Sequence, residues 1–371
     1  MELSTQNPQA QSGAKSERSR GLRVSVIVPV YNGGTTFRRC LSSIKATVPF
    51  PVEIIVVGDG DTDGSSQLAE EFGVKVLRFP SPGGPGRARN LGASQATGEV
   101  LFFIDADVTV SPHVIDQVAT TFQRDPDLAA LIGSYDDEPG EASFLSQYRN
   151  MLHHYTHQTG CEEASTFWGA CGAIRRDVFL AAGGFVETYR RPSIEDIELG
   201  YRLRVGGYKI RLLKSLQVKH WKRWEVRSMV RADLWQRAVP WTELILSGRP
   251  FLNDLNTSTS ARMSVVLTFG LLGSLVVSPW HPVLLVAAGA MALLLLVLNT
   301  KLYRFFLRKR GLRFALQVIP WHWGYFFCSG LGFAIGLGRH LLRRGPHGRS
   351  QTSMTPGPSS HSASQAELHN K

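Results

Sequence analysis

Gly98-Glu-Val-Leu-Phe-Phe-Ile-Asp-Ala-Asp-Val108 is the stretch on which the fold turns. Its short run of Val, Leu, Phe and Ile, bordered by small and polar residues, fits a strand buried on both faces of a parallel sheet. The run ends in two carboxylates one residue apart, Asp105 and Asp107. Ligands of such sheets bind beyond the carboxyl ends of the strands. Two hard oxygen ligands at that point suit a divalent cation, Mn²⁺ or Mg²⁺, able to hold a diphosphate. Acidic pairs are common in turns; the position directly after a buried strand gives this one its weight.

The pattern repeats towards the N-terminus. Val24 to Val30 is a β-branched run closed by Tyr31-Asn32-Gly33-Gly34, with a helix predicted from Thr35 or Thr36 to Ala46. Val52 to Val57 is a second strand, closed by the acidic loop Gly58-Asp-Gly-Asp-Thr-Asp-Gly64 and a helix over Ser65 to Phe72. Val74 to Phe79 is a third, and Pro85 is placed to start a helix through Ala96. Strands alternating with helices predict an α/β fold: a Rossmann-like, doubly wound, mostly parallel sheet. No G-x-G-x-x-G follows the first strand, which argues against a dinucleotide site. Asp59, Asp61 and Asp63 would repel a bare phosphate and suit hydrogen bonds to a nucleobase or ribose. Phosphate neutralisation is then left to a metal and to Arg87 or Arg89.

Four ordered motifs carry a resemblance. They are Val24-Ser-Val-Ile-Val-Pro-Val-Tyr-Asn32, Asp59-Gly-Asp-Thr-Asp63, Gly86-Arg-Ala-Arg-Asn-Leu-Gly92 and Phe103-Ile-Asp-Ala-Asp107. Together they resemble an inverting family 2 glycosyltransferase of GT-A fold, over about Arg23 to Trp224. The resemblance implies a hexosyltransferase that uses a nucleotide-diphospho-sugar, UDP-linked. It implies that Asp59 recognises the nucleobase, that Asp105 contacts ribose and metal, and that Asp107 holds the metal. Pro29, Tyr31, Asn32, Arg87, Arg89 and Asn90 complete the donor site it implies. Gly58 departs from the family, which often has another acid there.

The acceptor half follows. Ser165-Thr-Phe-Trp-Gly-Ala-Cys-Gly-Ala-Ile174 carries small residues that let backbone approach a ligand, with Trp168 and Gly169 as an acceptor-binding face. Ala181-Ala-Gly-Gly-Phe185 resembles the family's GGF turn. Glu195, Glu198 and Arg202 read plainly as a salt-bridged helix face. The resemblance makes Glu195-Asp196 the catalytic pair, with Asp196 as general base. His220-x-x-Arg223-Trp224 resembles a variant of the Gln-x-x-Arg-Trp motif of membrane synthases. It implies Arg223 on the diphosphate, Trp224 on the acceptor and His220 on the metal. An interfacial Trp/Arg belt is the other reading.

The net charge of +11 comes with no nucleic-acid motif, so no nucleic-acid partner is expected. Arg and Lys cluster around late apolar segments, which suits anionic lipid headgroups. Cys40, Cys161, Cys171 and Cys328 have no paired spacing and are expected as free thiols of a reducing compartment. The predicted organisation is a disordered tail at 1–22 without a signal-peptide core, a catalytic domain at 23–222 and interfacial amphipathic helices at 223–260. A transmembrane region follows at 261–338, with spans at 263–280 and 282–299 and a third candidate at 314–337, then a disordered tail at 339–371. Lys301, Arg304, Arg308, Lys309, Arg310 and Arg313 read as a basic loop kept cytoplasmic by the positive-inside rule. A multi-pass inner (plasma) membrane protein with a cytoplasmic catalytic domain is expected, contacting membrane lipids. Its acceptor would be a lipid-linked or glycan hydroxyl in cell-envelope glycolipid or polysaccharide synthesis. A polyprenyl-phosphate sugar synthase, a processive polysaccharide synthase and a catalytically silent nucleotide-sugar sensor stand as alternatives.

Overall fold

The computed structural model describes residues 21–247 and 258–343. Of the tails expected at 1–22 and 339–371, residues 1–20 and 344–371 lie outside the described residues, as do 248–257; residues 339–343, expected in the tail, are instead the end of the last helix. β1 (Val24–Val30), α1 (Gly34–Lys45), β2 (Glu53–Asp59), α2 (Ser65–Glu71), β3 (Lys75–Phe79), α3 (Pro85–Ser94) and β4 (Val100–Ile104) alternate in the predicted order. After β4 come β5 (Val108–Val110), α4 (Val114–Arg124), β6 (Leu128–Tyr135), α5 (Phe144–Thr159) and β7 (Cys171–Arg175). Then α6 (Arg176–Ala181), α7 (Glu195–Val205) and β8 (Lys209–His220) close the sheet domain.

The eight strands form one sheet in the order β3-β2-β1-β4-β7-β6-β8-β5. Pairings among β3, β2, β1 and β4 are parallel, as is β6 with β8. β7 runs antiparallel to both β4 and β6, and β5 antiparallel to β8, so the sheet is mixed. Every residue of β1 and β4 is buried. Because side chains alternate across a strand, Val26, Val28 and Val30 face one core with α1 and α4. Ile27, with Val57, Leu101 and Phe103, faces the other. Phe103 there meets the rings of Phe167, Phe179 and Phe185, the last belonging to the GGF turn.

Helices fill the remainder: α8 (Val226–Arg231), a π-helical turn (Ala232–Ala238), α9 (Val239–Leu246), α10 (Thr259–Val277) and α11 (Leu284–Leu298). A last helical stretch, Thr300–Arg343, breaks at Gly311, where φ is 82° and ψ is 175°. This gives α12 (300–310) and α13 (312–343). The segment expected as a basic loop is therefore mostly the helix α12. Leu302 and Phe306, four residues apart, bury one face against Tyr148, Met151 and Trp224, leaving the cations outside. Lys309 pairs with Asp137, and Arg310 reaches Gln147 Oε1 at 3.0 Å. The run of charges concealed a helical stripe.

Among the described residues, α10 is the one single helix long and apolar enough to cross a membrane. α11, at 15 residues, is about 22 Å long and falls short of the ~30 Å hydrocarbon core by itself. Together α11 and the helical stretch after it form a second candidate, bent by 64°. The expected span at 263–280 thus has its helix, whereas 282–299 qualifies only as part of a bent pair.

Candidate active site

A cleft of about 810 Å³ opens at the carboxyl ends of β1, β2 and β4. Pro29, Tyr31 and Asn32 at the end of β1, Asp59 at the end of β2, and Asp105 and Asp107 after β4 all line it. Glu195 and Asp196, at the start of α7, face them from across the cleft together with Trp168, His220 and Trp224. Twelve of the predicted site residues thus share one cavity.

Arg89 joins the two acidic motifs. One guanidinium nitrogen donates to Asp105 Oδ1 at 2.7 Å, another to Glu195 Oε1 at 3.2 Å. Its side chain is only 5% exposed, so the ions it balances need its charge. Glu195 Oε2 accepts from the Ser193 amide at 2.9 Å, leaving this buried carboxylate committed at both oxygens. Glu195 is placed as a tie. Asp196 is the less buried member of the pair. Its Oδ2 accepts from the Gly169 amide at 3.2 Å and its Oδ1 from Ile197 at 2.8 Å. Burial, and then the charge of Glu195, push its pKa up to about 6, against Arg89 and these two amides. A carboxylate so poised is more basic than usual and close to the operating range of a general base. A Cβ on Gly169 would lie 2.8 Å from the Arg89 guanidinium carbon, so a glycine lets the chain come this near.

The second charged pair arises from strand pairing. Val108 of β5 registers with His220 of β8, which brings Asp107 to the imidazole: Nε2 and Oδ2 lie 3.4 Å apart. Nδ1 of His220 is 2.6 Å from Asn150 Oδ1, and the ring stacks on Tyr135 at 4.2 Å. A ring protonated at Nε2 donates towards Asp107; with a metal ion between them, a proton on Nδ1 directed at Asn150 would leave the Nε2 lone pair for the ion. Burial pulls the Asp107 pKa up, but the charge and hydrogen bond of His220 and the charge of Lys222 hold it down at about 2. Convergent carboxylate and imidazole donors fit a Mn²⁺-like ion, with Asn150 orienting the histidine from behind. Among the described residues no cluster of three or more His, Cys, Asp or Glu is suited to a metal.

Other predicted residues have structural duties. Asp61 caps α2 at Ser66 and Asp63 bonds Ser65 and Gly34, and neither lines the cleft. This corrects the reading of three ligand-facing carboxylates: Asp59 alone lines the cleft. Its two oxygens accept from the amides of Gly83 and Gly84, each at 2.8 Å. Gly84 has φ 102°, and a Cβ there would be 2.3 Å from the Tyr189 carbonyl, so a glycine is required. Arg87 stacks on Phe79 at 3.7 Å and does not line the cleft. Asn90 is spent on Phe185 and Glu187, holding the GGF turn. Arg223 is exposed and lies off the cleft, contrary to its expected place on the diphosphate; Lys222 stands there instead. Trp221 bonds Thr109 and carries Arg39 over its ring, outside the site. Trp168 packs edge-on to Tyr135 and beside His153.

Sequence reasoning missed Tyr135, His153 and His157 on the cleft floor, and Arg190, Arg191, Lys222, Arg231 and Arg237 around its rim. Burial, then the neighbouring His157, drive His153 well below the ordinary histidine range, so it sits there neutral. His153 and His157 are four residues apart, a helical spacing that offered a signal. The arginines offered none; Arg237 lies in a π-helical turn, whose register has no strong sequence signal.

A family model described as Glycosyl transferase family 2 matches residues 25–181. Glycosyltransferase GlyG of Streptococcus pneumoniae serotype 4 is 33% identical over 129 residues, 33% of this chain and 42% of that protein. The glucosyl-dolichyl phosphate glucuronosyltransferase of Haloferax volcanii is 27% identical over 181 residues, 44% of this chain and 56% of that protein. The chain therefore spans about half or less of these relatives' length. Among solved structures, mannosyltransferase PcManGT from Pyrobaculum calidifontis, in complex with GDP-Man and Mn²⁺, superposes with a TM-score of 0.53. It is 17% identical, with 88% of this chain and 89% of that chain covered, a likeness of fold.

Proposed function

We propose that the chain, whose residues 25–181 match the Glycosyl transferase family 2 model, is a membrane-anchored inverting glycosyltransferase. It moves a sugar from a nucleotide-diphospho-sugar, UDP-linked by the motif resemblance, to a hydroxyl of a lipid-linked acceptor. The observation that carries this reading is the cleft-facing Asp196, its pKa raised to about 6, across from Asp105 and Asp107.

The acceptor oxygen attacks the anomeric carbon in line with the bond to the diphosphate. That bond breaks, its electron pair leaves with the nucleoside diphosphate, and the acceptor's proton passes to Asp196 Oδ2. Glu195 and Arg89 fix the start of α7, and the Gly169 amide orients the base. Asp107 and His220 would hold Mn²⁺ or Mg²⁺, which when bound supplies Lewis-acid neutralisation of the departing diphosphate. Pro29, Tyr31 and Asn32, with Asp59, form the wall for the nucleoside, and Trp168 and Trp224 the wall for the acceptor.

Membrane anchoring is supported by α10 and by the apolar side chains that α10 and α11 expose, among them Val266, Val276, Val286 and Val297. These helices belong in an inner membrane, crossing it more than once, with the catalytic domain in the cytosol where nucleotide-sugars are made. The name of the Haloferax volcanii relative supports a lipid-linked acceptor. The test is nucleotide release by detergent-purified protein over UDP-, GDP- and TDP-sugars, with Mn²⁺ or EDTA, and with lipid extract as acceptor. Metal-dependent release from one donor, stimulated by lipid, is expected. Nucleotide binding without release from any donor would favour a silent nucleotide-sugar sensor.

A further inference from the structure

We propose that the helical flank of the cleft is a second anion site, in which Arg231 and Arg237 take the phosphate ester of the lipid-linked acceptor. The proposal rests on the glycosyltransferase reading and names the chemistry of its acceptor. Both arginines line the cleft, and neither forms an ion pair or hydrogen bond among the described residues. Arg237 is half-buried, where an unneutralised cation is costly to keep. The acid nearest in sequence, Asp233 of the π-helical turn, is already consumed by Arg149, both side chains being almost fully buried. Burial, and then the positive charge of Arg149, pull Arg237 below its ordinary value, outweighing the charges of Asp233 and Asp196. The opposite flank is the reverse case: Asp105 already holds Arg89, and Asp107 with His220 faces the cleft as a pair suited to a cation. An anion separate from the donor's metal-borne diphosphate would complete the helical side.

The surroundings of the flank say which anion. The π-helical turn and α9 pack directly on α13, with a methyl on Gly332 reaching within 2.3 Å of Ala238 Cβ and one on Gly336 within 2.7 Å of Thr242. Trp235, on the same turn as Arg237, is 49% exposed, and Arg339 of α13 lies over its ring at 5.3 Å. A phosphate held by Arg231 and Arg237 would therefore have its attached chain beside the apolar helices. A lipid phosphate satisfies both halves of the site; a free or nucleotide phosphate satisfies one.

The test uses full-length protein in detergent, titrated by tryptophan fluorescence with farnesyl phosphate, with farnesol, and separately with UDP plus Mn²⁺. Farnesyl phosphate should bind about tenfold or more tighter than farnesol, the scale of a charge-assisted contact. Arg237→Gln and Arg231→Gln should each remove most of that preference and leave UDP binding within about twofold, since rim charges act locally. Arg237→Lys should restore part of it. Equal binding of farnesyl phosphate and farnesol by the wild type would overturn the proposal, with no variant needing to fold. Variants that lose UDP binding but keep the farnesyl phosphate preference would overturn it too, assigning these cations to the donor. A wild type that prefers farnesyl phosphate yet binds no nucleotide would uphold the anion site and remove the glycosyltransferase reading instead.

Discussion

Arg89 bonds Asp105 on one side and Glu195 on the other, so residues 90 positions apart in sequence meet at one buried guanidinium. Replacing it by Met leaves two carboxylates uncompensated, and loss of one partner of a buried pair costs about 3–5 kcal/mol. Arg89→Met should show that loss in chemical denaturation. Asp196 should behave oppositely. Its folded pKa of about 6 lies above the ordinary carboxylate value, so the folded state holds a proton that the unfolded chain has released. Stability therefore falls as pH rises towards 6 and stays low beyond it. Asp196→Asn should raise the melting temperature at neutral pH, and the gain should vanish below about pH 4, where both states are protonated. Asp105, Asp107 and Asp196 were legible because each sits in a local motif. The commitment of Asp61 and Asp63 to helix caps was not, because capping and ligand binding ask for the same residue type.

At the scale of elements, the pairing of β5 with β8 brings Asp107 to His220, the pair proposed to hold the metal, and α5 supports it through Asn150. Asn150→Ala keeps both donors but frees the imidazole. It should weaken Mn²⁺ binding about 10–100-fold, the range for loss of a residue that orients a ligand, as read by electron paramagnetic resonance titration. Gly169→Ala forces a methyl against Arg89 and should lower kcat more than KM, because it displaces the amide that bonds Asp196. The helical character of α12 was hidden by its charge. Only the burial of Leu302 and Phe306 against Trp224 and Tyr148 reveals it. The inward turn of Arg237 depends on a π-helical register, and π-helical turns have no strong sequence signal.

For the whole molecule, the parallel half of the sheet was readable because its strands are continuous apolar runs closed by glycine-rich loops. The antiparallel half was not: β7 is a five-residue strand inside a segment that reads as an acceptor loop. The same length argument that suggested two spans failed for α11, which ends at Asn299, where Nδ2 bonds Ser264 of α10 at 3.0 Å. The proposed orientation makes a direct prediction. A membrane-impermeant maleimide should label exposed Cys161 only after the cells are opened, and the protein should stay in the membrane pellet after an alkaline wash. Labelling in intact cells would reverse the topology.

The central claim is that Asp196 is the base of a metal-assisted sugar transfer, and the rate of acceptor-dependent nucleotide release against pH tests it most directly. Wild-type activity should fall below about pH 6. Asp196→Asn should lose about 10²- to 10⁴-fold in rate, the span for removal of a general base, together with that acidic limb. Near-normal turnover in Asp196→Asn, with the limb intact, would contradict the claim. It would point to an acceptor whose phosphate oxygen attacks without needing a base.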